Sequence, residues 1–273
     1  MQKRTDTTPG IPAWSGTVEV DDTALAVTDT GGNGTAVVYL NGSYADRSHW
    51  RRVIADLGDG YRHITYDERA RGKSALASDY SFEACLRDLD AVLDARGVRR
   101  AVLVGWSYGA MVAVHYADRH PERVLGAVSV DGAMPVEPLD EAAKARIRGL
   151  FARLSPLFPV CRRLGLAARM SAVQHAEINL ELIGLSAPDL LLPVFDRLTV
   201  PVHYVLATGG NLGADERTIE GLRTVITGIA AGNPNIQIAA KVPSNHSKIL
   251  RKDHRTVADT IHAVATALAQ QES

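Results

Sequence analysis

The segment Gly105-Trp106-Ser107-Tyr108-Gly109 constrains this chain more than any other feature, because of what stands on either side of it. Ala101-Val-Leu-Val104 is a short, continuous apolar run, the mark of a strand buried on both faces. Tyr108 to Arg119 reads as a helix that stops before Pro121. A strand must therefore become a helix within very few residues, with a serine at the apex. Glycines on both sides let the flanking chain approach closely, and the serine takes a strained backbone conformation. Its hydroxyl is raised above the sheet beside a helix start, where free N–H groups and partial positive charge favour a developing oxyanion. This G-x-S-x-G elbow is the place of a nucleophile. The plainer reading makes Ser107 a helix cap and the two glycines packing devices.

The rest of the chain supplies a frame for such an elbow. Thr17–Asp22 and Thr23–Thr28 read as a hairpin, Ala36–Leu40 as a buried strand, Ser48–Leu57 as a helix and His63–Tyr66 as a strand. Phe82, Cys85, Leu86, Leu89, Val92 and Leu93 fall on one helical face, closed by Gly97. Val124–Val130 is a further strand. Between 135 and 197 the rhythm breaks into helical stretches, among them Glu141–Leu154, Val160–Met170 and Ala172–Ile183. Strand–helix alternation resumes at Val202–Leu206, then a helix from Asp215 to Ala231, a strand at Asn235–Val242 and a last helix from His254 to Gln270. The expectation is an α/β fold: a mostly parallel sheet with helices on both faces and a helical insertion. Residues 1–16 are expected as a loose arm, 17–134 and 198–273 as the core, and 135–197 as a cap or lid.

Four segments, in order, resemble the α/β-hydrolase superfamily, in its serine-nucleophile branch with a helical cap. Leu40-Asn41-Gly42-Ser43 resembles the oxyanion loop, and Asp67-Glu-Arg69-Ala-Arg71-Gly72-Lys-Ser74 resembles the D-x-R-G-x-G-x-S loop. The elbow is the third, and Ser244-Asn245-His246 resembles the late histidine loop. Asn41 stands where many members have histidine, and Ala70 replaces a common glycine. The resemblance implies an oxyanion hole made by the backbone N–H groups of Ser43 and Tyr108, with Tyr44 and Trp106 near the substrate. It implies no metal and no organic cofactor. It sets the chain apart from the dehalogenase and epoxide-hydrolase branches, which have aspartate at the apex.

A neutral serine needs a base within hydrogen-bond reach. His246, between the last strand and the last helix, is the best placed of nine histidines. For the acid, two places compete. Asp131 stands at the carboxyl end of a strand, where a side chain can point into the same crevice; Asp215 lies farther from its strand and makes a good helix N-cap. Asp131 is preferred. Arg69 and Arg71 are expected to make structural ion pairs with Asp67 or Glu68 rather than hold substrate.

Composition narrows the partners. Lys and Arg total 30 against 31 Asp and Glu, which calls for neither nucleic acid nor an anionic membrane. The two cysteines, Cys85 and Cys161, make no disulfide framework or metal spacing. No apolar leader follows Met1. The expectation is a cytoplasmic enzyme acting on a small, largely apolar ester or lactone, its oligomeric state open. Thioesterase, acyltransferase and cofactor-free C–C hydrolase chemistry, or a slow-turnover receptor, are the alternatives.

Overall fold

The computed structural model describes residues 10–163, 168–209 and 216–271. β1 (Trp14–Val20) and β2 (Thr23–Asp29) form a hairpin. Asp21 in its turn has φ 49°, the positive angle that matches strand twist in tight hairpins. β3 (Ala36–Leu40) leads to α1 (Arg51–Leu57), then β4 (Arg62–Tyr66), α2 (Phe82–Ala95), β5 (Ala101–Trp106), α3 (Tyr108–Arg119) and β6 (Val124–Val130). Among the described residues, α4 (Glu141–Leu154), α5 (Phe158–Arg163), α6 (Ala172–Leu185) and α7 (Pro188–Arg197) follow. The chain then returns through β7 (Val202–Ala207), α8 (Glu216–Gly232), β8 (Ile236–Val242), α9 (Ile249–Lys252) and α10 (His254–Gln271).

The strands make one sheet in the order β1-β2-β4-β3-β5-β6-β7-β8. β3 to β8 are parallel, and β2 pairs antiparallel with both β1 and β4. One face packs α2 and α3 through Leu103, Leu89, Met111 and Val114. The other packs α1 and α10 through Val53, Val104, Val257 and Ile261. Being covered on both faces is what lets the central strands be continuously apolar.

α2 shows how local sequence sets an element. Ser81 caps it by accepting from the Ala84 N–H at 3.2 Å, and all six residues of the expected stripe are buried. Burial pushes the Cys85 thiol up to about 12, so it is an inert core group. The loose arm is shorter than expected at its inner end. Trp14 to Gly16 already pair with Asp29 to Val27, and the Arg96 guanidinium lies 4.3 Å over the Trp14 ring, which gives that end of the strand a packing partner. The expected helix over Val160–Met170 starts earlier, at Phe158; residues 164–167 lie outside the described residues, and Met170 is in a bend.

Arg69 ties the hairpin, the loop after β4 and α2 together. Its guanidinium donates to Asp88 at 2.7 and 2.9 Å, to Asp21 at 2.7 Å and to the Asp79 carbonyl at 3.0 Å. Its partner is therefore Asp88, not the expected Asp67 or Glu68. Asp88 is fully buried; losing its charge leaves a buried guanidinium partly uncompensated. Asp88→Ala is expected to destabilise by about 3–5 kcal/mol, read by urea denaturation. A change below about 1 kcal/mol, the range of an exposed pair, would contradict this account.

Candidate active site

Ser107 stands between β5 and α3 with φ 57° and ψ −114°, a conformation that strains any residue with a Cβ. Two glycines make the turn possible. A methyl at Gly105 would lie 2.1 Å from the Gly109 carbonyl oxygen, and one at Gly109 would lie 2.2 Å from that of Leu40. Only hydrogen fits at either place, so the helix can start almost on top of the strand end.

The neighbouring strand brings Asp131. β5 and β6 run in parallel register to Trp106 opposite Val130, and the Ser107 N–H donates to the Val130 carbonyl at 3.1 Å. Asp131 is the next residue. Its Oδ1 accepts from the Ala207 N–H at 2.9 Å, and its Oδ2 lies 2.8 Å from His246 Nδ1. A carboxylate can only accept, so Nδ1 carries the proton and Nε2 keeps its lone pair. His246 opens a single turn, His246–Lys248, beyond β8. The Gly209 N–H donates to the Ser244 carbonyl at 2.9 Å, and Trp106 Nε1 donates to the His246 carbonyl at 3.2 Å, which fixes the histidine loop from two sides. Among the described residues, no hydrogen bond joins Ser107 Oγ to His246. Catalytic bonds of this kind commonly tighten only in the substrate complex. The rival acid, Asp215, lies outside the described residues.

The loop after β3 lies against the elbow: a methyl at Gly42 would come within 3.4 Å of Ser107 Cβ. Ser43 follows, and its carbonyl accepts from Arg71 Nε at 2.7 Å. Tyr108 is the first residue of α3, so its N–H is among those without an intrahelical acceptor. Its ring is buried against Phe82 and Cys85. Tyr44 stacks on His175 of α6 at 5.6 Å and accepts from Asn179 Nδ2 at 2.8 Å. Trp106 lies 5.6 Å from the His246 ring. Arg71 also donates to the Arg69 carbonyl, so its bonds are to backbone.

Beneath this loop sits a network that sequence reading passed over. Glu68 accepts from the Asn41 N–H at 2.9 Å and from Asn41 Nδ2 at 2.8 Å. Asn41 also donates to the Tyr66 carbonyl and accepts from Trp50 Nε1, both at 2.8 Å. The asparagine in place of histidine is thus a buried bracket that spends both side-chain donors and its side-chain oxygen on the loop's footing. The signal was available: a carboxylate two residues past a buried strand needs a partner. Ala70, in place of glycine, adopts φ 60°. It keeps the loop's path at a cost of roughly 1–2 kcal/mol.

Burial pushes Glu68 up to about 7, against the pull of Arg71 and the two Asn41 donors. A carboxyl raised on folding binds more protons folded than unfolded between its two pKa values. Its stabilising contribution is therefore full below the unfolded value and is lost as pH rises towards the folded one. Glu68→Gln carries no such ionisation. Between about pH 5 and about pH 7.5 the melting temperature of the wild type is expected to fall relative to this variant. A difference independent of pH in calorimetry would refute the assignment.

A mostly parallel eight-stranded sheet with a strained serine between strand and helix defines the α/β-hydrolase fold. The family model for that fold matches residues 35–168, and the chain belongs to the α/β-hydrolase superfamily. Over 121 residues it is 32% identical to a haloalkane dehalogenase of Mesorhizobium japonicum, a stretch covering 44% of this chain and 39% of that protein. Two solved structures share the fold across nearly the whole chain. A thermophilic esterase from Thermogutta terrifontis aligns with TM-score 0.69 at 20% identity, over 94% of this chain and 99% of its own. An enol-lactonase from Burkholderia xenovorans aligns with TM-score 0.69 at 21% identity, over 92% and 100%. Among the described residues, no group of three or more His, Cys, Asp or Glu side chains is arranged to hold a metal, and no single helix is long and apolar enough to cross a membrane.

Proposed function

We propose that this chain is a serine hydrolase that cleaves a carboxylic ester or lactone of a small molecule through an acyl-enzyme. The observation that carries the reading is the 2.8 Å contact between Asp131 and His246, at the strand ends that also hold the Ser107 elbow. Ser107 Oγ attacks the carbonyl carbon and His246 Nε2 takes its proton. The oxyanion rests on the Ser43 and Tyr108 N–H groups. Collapse of the tetrahedral intermediate expels the alkoxide, which takes the proton from His246. Water, deprotonated by the same nitrogen, then releases the acid and restores the serine. Asp131 holds the imidazole in the tautomer that accepts from serine. Serine at the apex, rather than aspartate, is what separates this reading from dehalogenation. The esterase and the enol-lactonase of like fold are consistent with it, although a fold does not choose a substrate.

A fluorophosphonate probe combined with an ester chain-length series tests the reading. Labelling at Ser107 with turnover of at least one short ester is the expected result. A folded protein that neither labels nor turns over any member would overturn it.

We further assign α4 to α7 as the lid. Phe151, Phe158 and His175 stack in near-parallel rings, 4.8 Å apart for Phe158 and His175, and the stack reaches Tyr44 beside the oxyanion loop. Leu150, Leu154 and Leu157, by contrast, face solvent. Phe158→Ala is expected to change the ratio of kcat/KM between a short and a long acyl ester by about tenfold, the scale of a few methylenes in an apolar pocket. An unchanged ratio would remove the lid from substrate selection.

A further inference from the structure

Against Trp106 the structure opens a cleft of about 530 Å³, and its lining is chemically one-sided. Arg51 and Arg52 come from α1, Lys248 from the turn after His246, and Arg251 from α9; His49 completes the set. No Asp or Glu lines it, in a chain whose acidic and basic residues are nearly equal in number. Elsewhere the described arginines are largely paired: Arg69, Arg87, Arg96, Arg119, Arg123, Arg148 and Arg197 all meet carboxylates. Among the described residues, Arg51, Arg52, Lys248 and Arg251 meet none. The two arginines of α1 donate to backbone: Arg51 Nε to the Ser48 carbonyl at 3.1 Å, and Arg52 Nη1 to the Arg251 carbonyl at 2.9 Å. Two acids on the same segments have partners of their own. Asp56 meets His254, while Asp46 caps the turn before α1 and lies 3.6 Å from His49, so among the described residues His49 is the one basic lining residue with a carboxylate beside it.

The cleft is joined to the reaction centre by aromatic rings. His49 lies 5.9 Å from Trp106, and Trp106 lies 5.6 Å from His246. Ser247 and Lys248, on the cleft wall, directly follow His246. Several cations without carboxylates around one concavity raise the local concentration of anions, and arginine forks match carboxylate and phosphate oxygens. We propose that this cleft binds an anionic group, carboxylate or phosphate, carried by the substrate, so that the ester or lactone cleaved at Ser107 is an acidic one. The inference rests on the serine-hydrolase reading for the cleavage, but not for the binding. It departs from the largely apolar substrate expected from sequence.

Two measurements test it, one of them independent of catalysis. Inorganic phosphate and succinate are titrated into the wild type and into a Lys248→Ala/Arg251→Ala variant, followed by Trp106 fluorescence and calorimetry. Saturable binding to the wild type, weakened at least tenfold in the variant, is expected, and the tighter of the two anions identifies the group recognised. Equal curves for the two proteins, or no saturable binding, would overturn the proposal even in an active hydrolase. In the second measurement, kcat/KM is compared for the p-nitrophenyl monoester of glutarate and for p-nitrophenyl pentanoate. The ratio should favour the anionic ester and fall at least tenfold in the variant; a ratio equal in both proteins would place the cleft outside substrate recognition. Failure of fluorophosphonate labelling would sink the hydrolase reading while leaving the titration result standing.

Discussion

Ser107→Ala is expected to abolish ester turnover, with a loss on the order of 10⁶ in kcat, while the protein stays folded. The substitution removes one oxygen and leaves the backbone path alone, since alanine bears the same strain at φ 57° as serine. Its melting temperature should therefore stay close to that of the wild type. Ser107→Gly separates chemistry from strain. Glycine occupies positive φ without penalty, and relief of about 1 kcal/mol raises the melting temperature by roughly 2–4 °C in a domain of this size, also with no activity. Near-normal turnover by either folded variant would end the serine-hydrolase reading. A fall in melting temperature for the glycine variant would show that the elbow is not under backbone strain.

Asp131→Asn should lower kcat by about 10⁴ without unfolding the protein. The direction follows from the second partner of the carboxylate. The Ala207 N–H donates to Asp131 Oδ1, so an asparagine must present its own oxygen there. Its NH₂ then faces His246 Nδ1, which can only accept from it. The imidazole proton moves to Nε2, where it blocks acceptance from serine. A shift of the histidine ring-nitrogen resonances to the other tautomer is the spectroscopic counterpart. Asp215→Asn should change kcat little. The reverse pattern of losses would transfer the acid's role to Asp215.

What could be read from sequence follows the range of the physics involved. The elbow was legible because a buried strand, two glycines and an amphipathic helix are local signals. The α2 stripe was legible for the same reason, and each of its six residues is buried. Asp131 was legible in part: a strand end is a local feature, but its Ala207 partner comes from a strand 76 residues later. The Glu68–Asn41–Trp50 bracket joins three segments and has no periodicity, so the local pattern offered a carboxylate that needs a partner but not which residues supply it. The same holds for the cationic cleft. Arg52 and Arg251 stand 199 positions apart, and each alone looks like an ordinary solvated charge. Trp14 was assigned to a loose arm because prolines precede it; the arginine over its ring is 82 residues away.

The route of the chain through α4 to α7 has an evolutionary consequence. The chain leaves β6 and returns to β7, and these strands are hydrogen-bonded neighbours, with the Asp131 N–H donating to the Val205 carbonyl at 2.9 Å. The two ends of the detour thus lie side by side on a sheet that is already complete without it. Closing a loop between fixed, adjacent ends depends only weakly on its length, about 0.6 kcal/mol for each doubling. Length changes in this detour therefore leave the strand pairing intact, provided the Leu191, Val194 and Phe195 face of α7 that packs into the core is kept, and Ser107, Asp131 and His246 all lie outside the stretch. If the segment is the lid, a transplant of it from a relative of the same fold should alter which esters are taken while the chemistry at Ser107 persists.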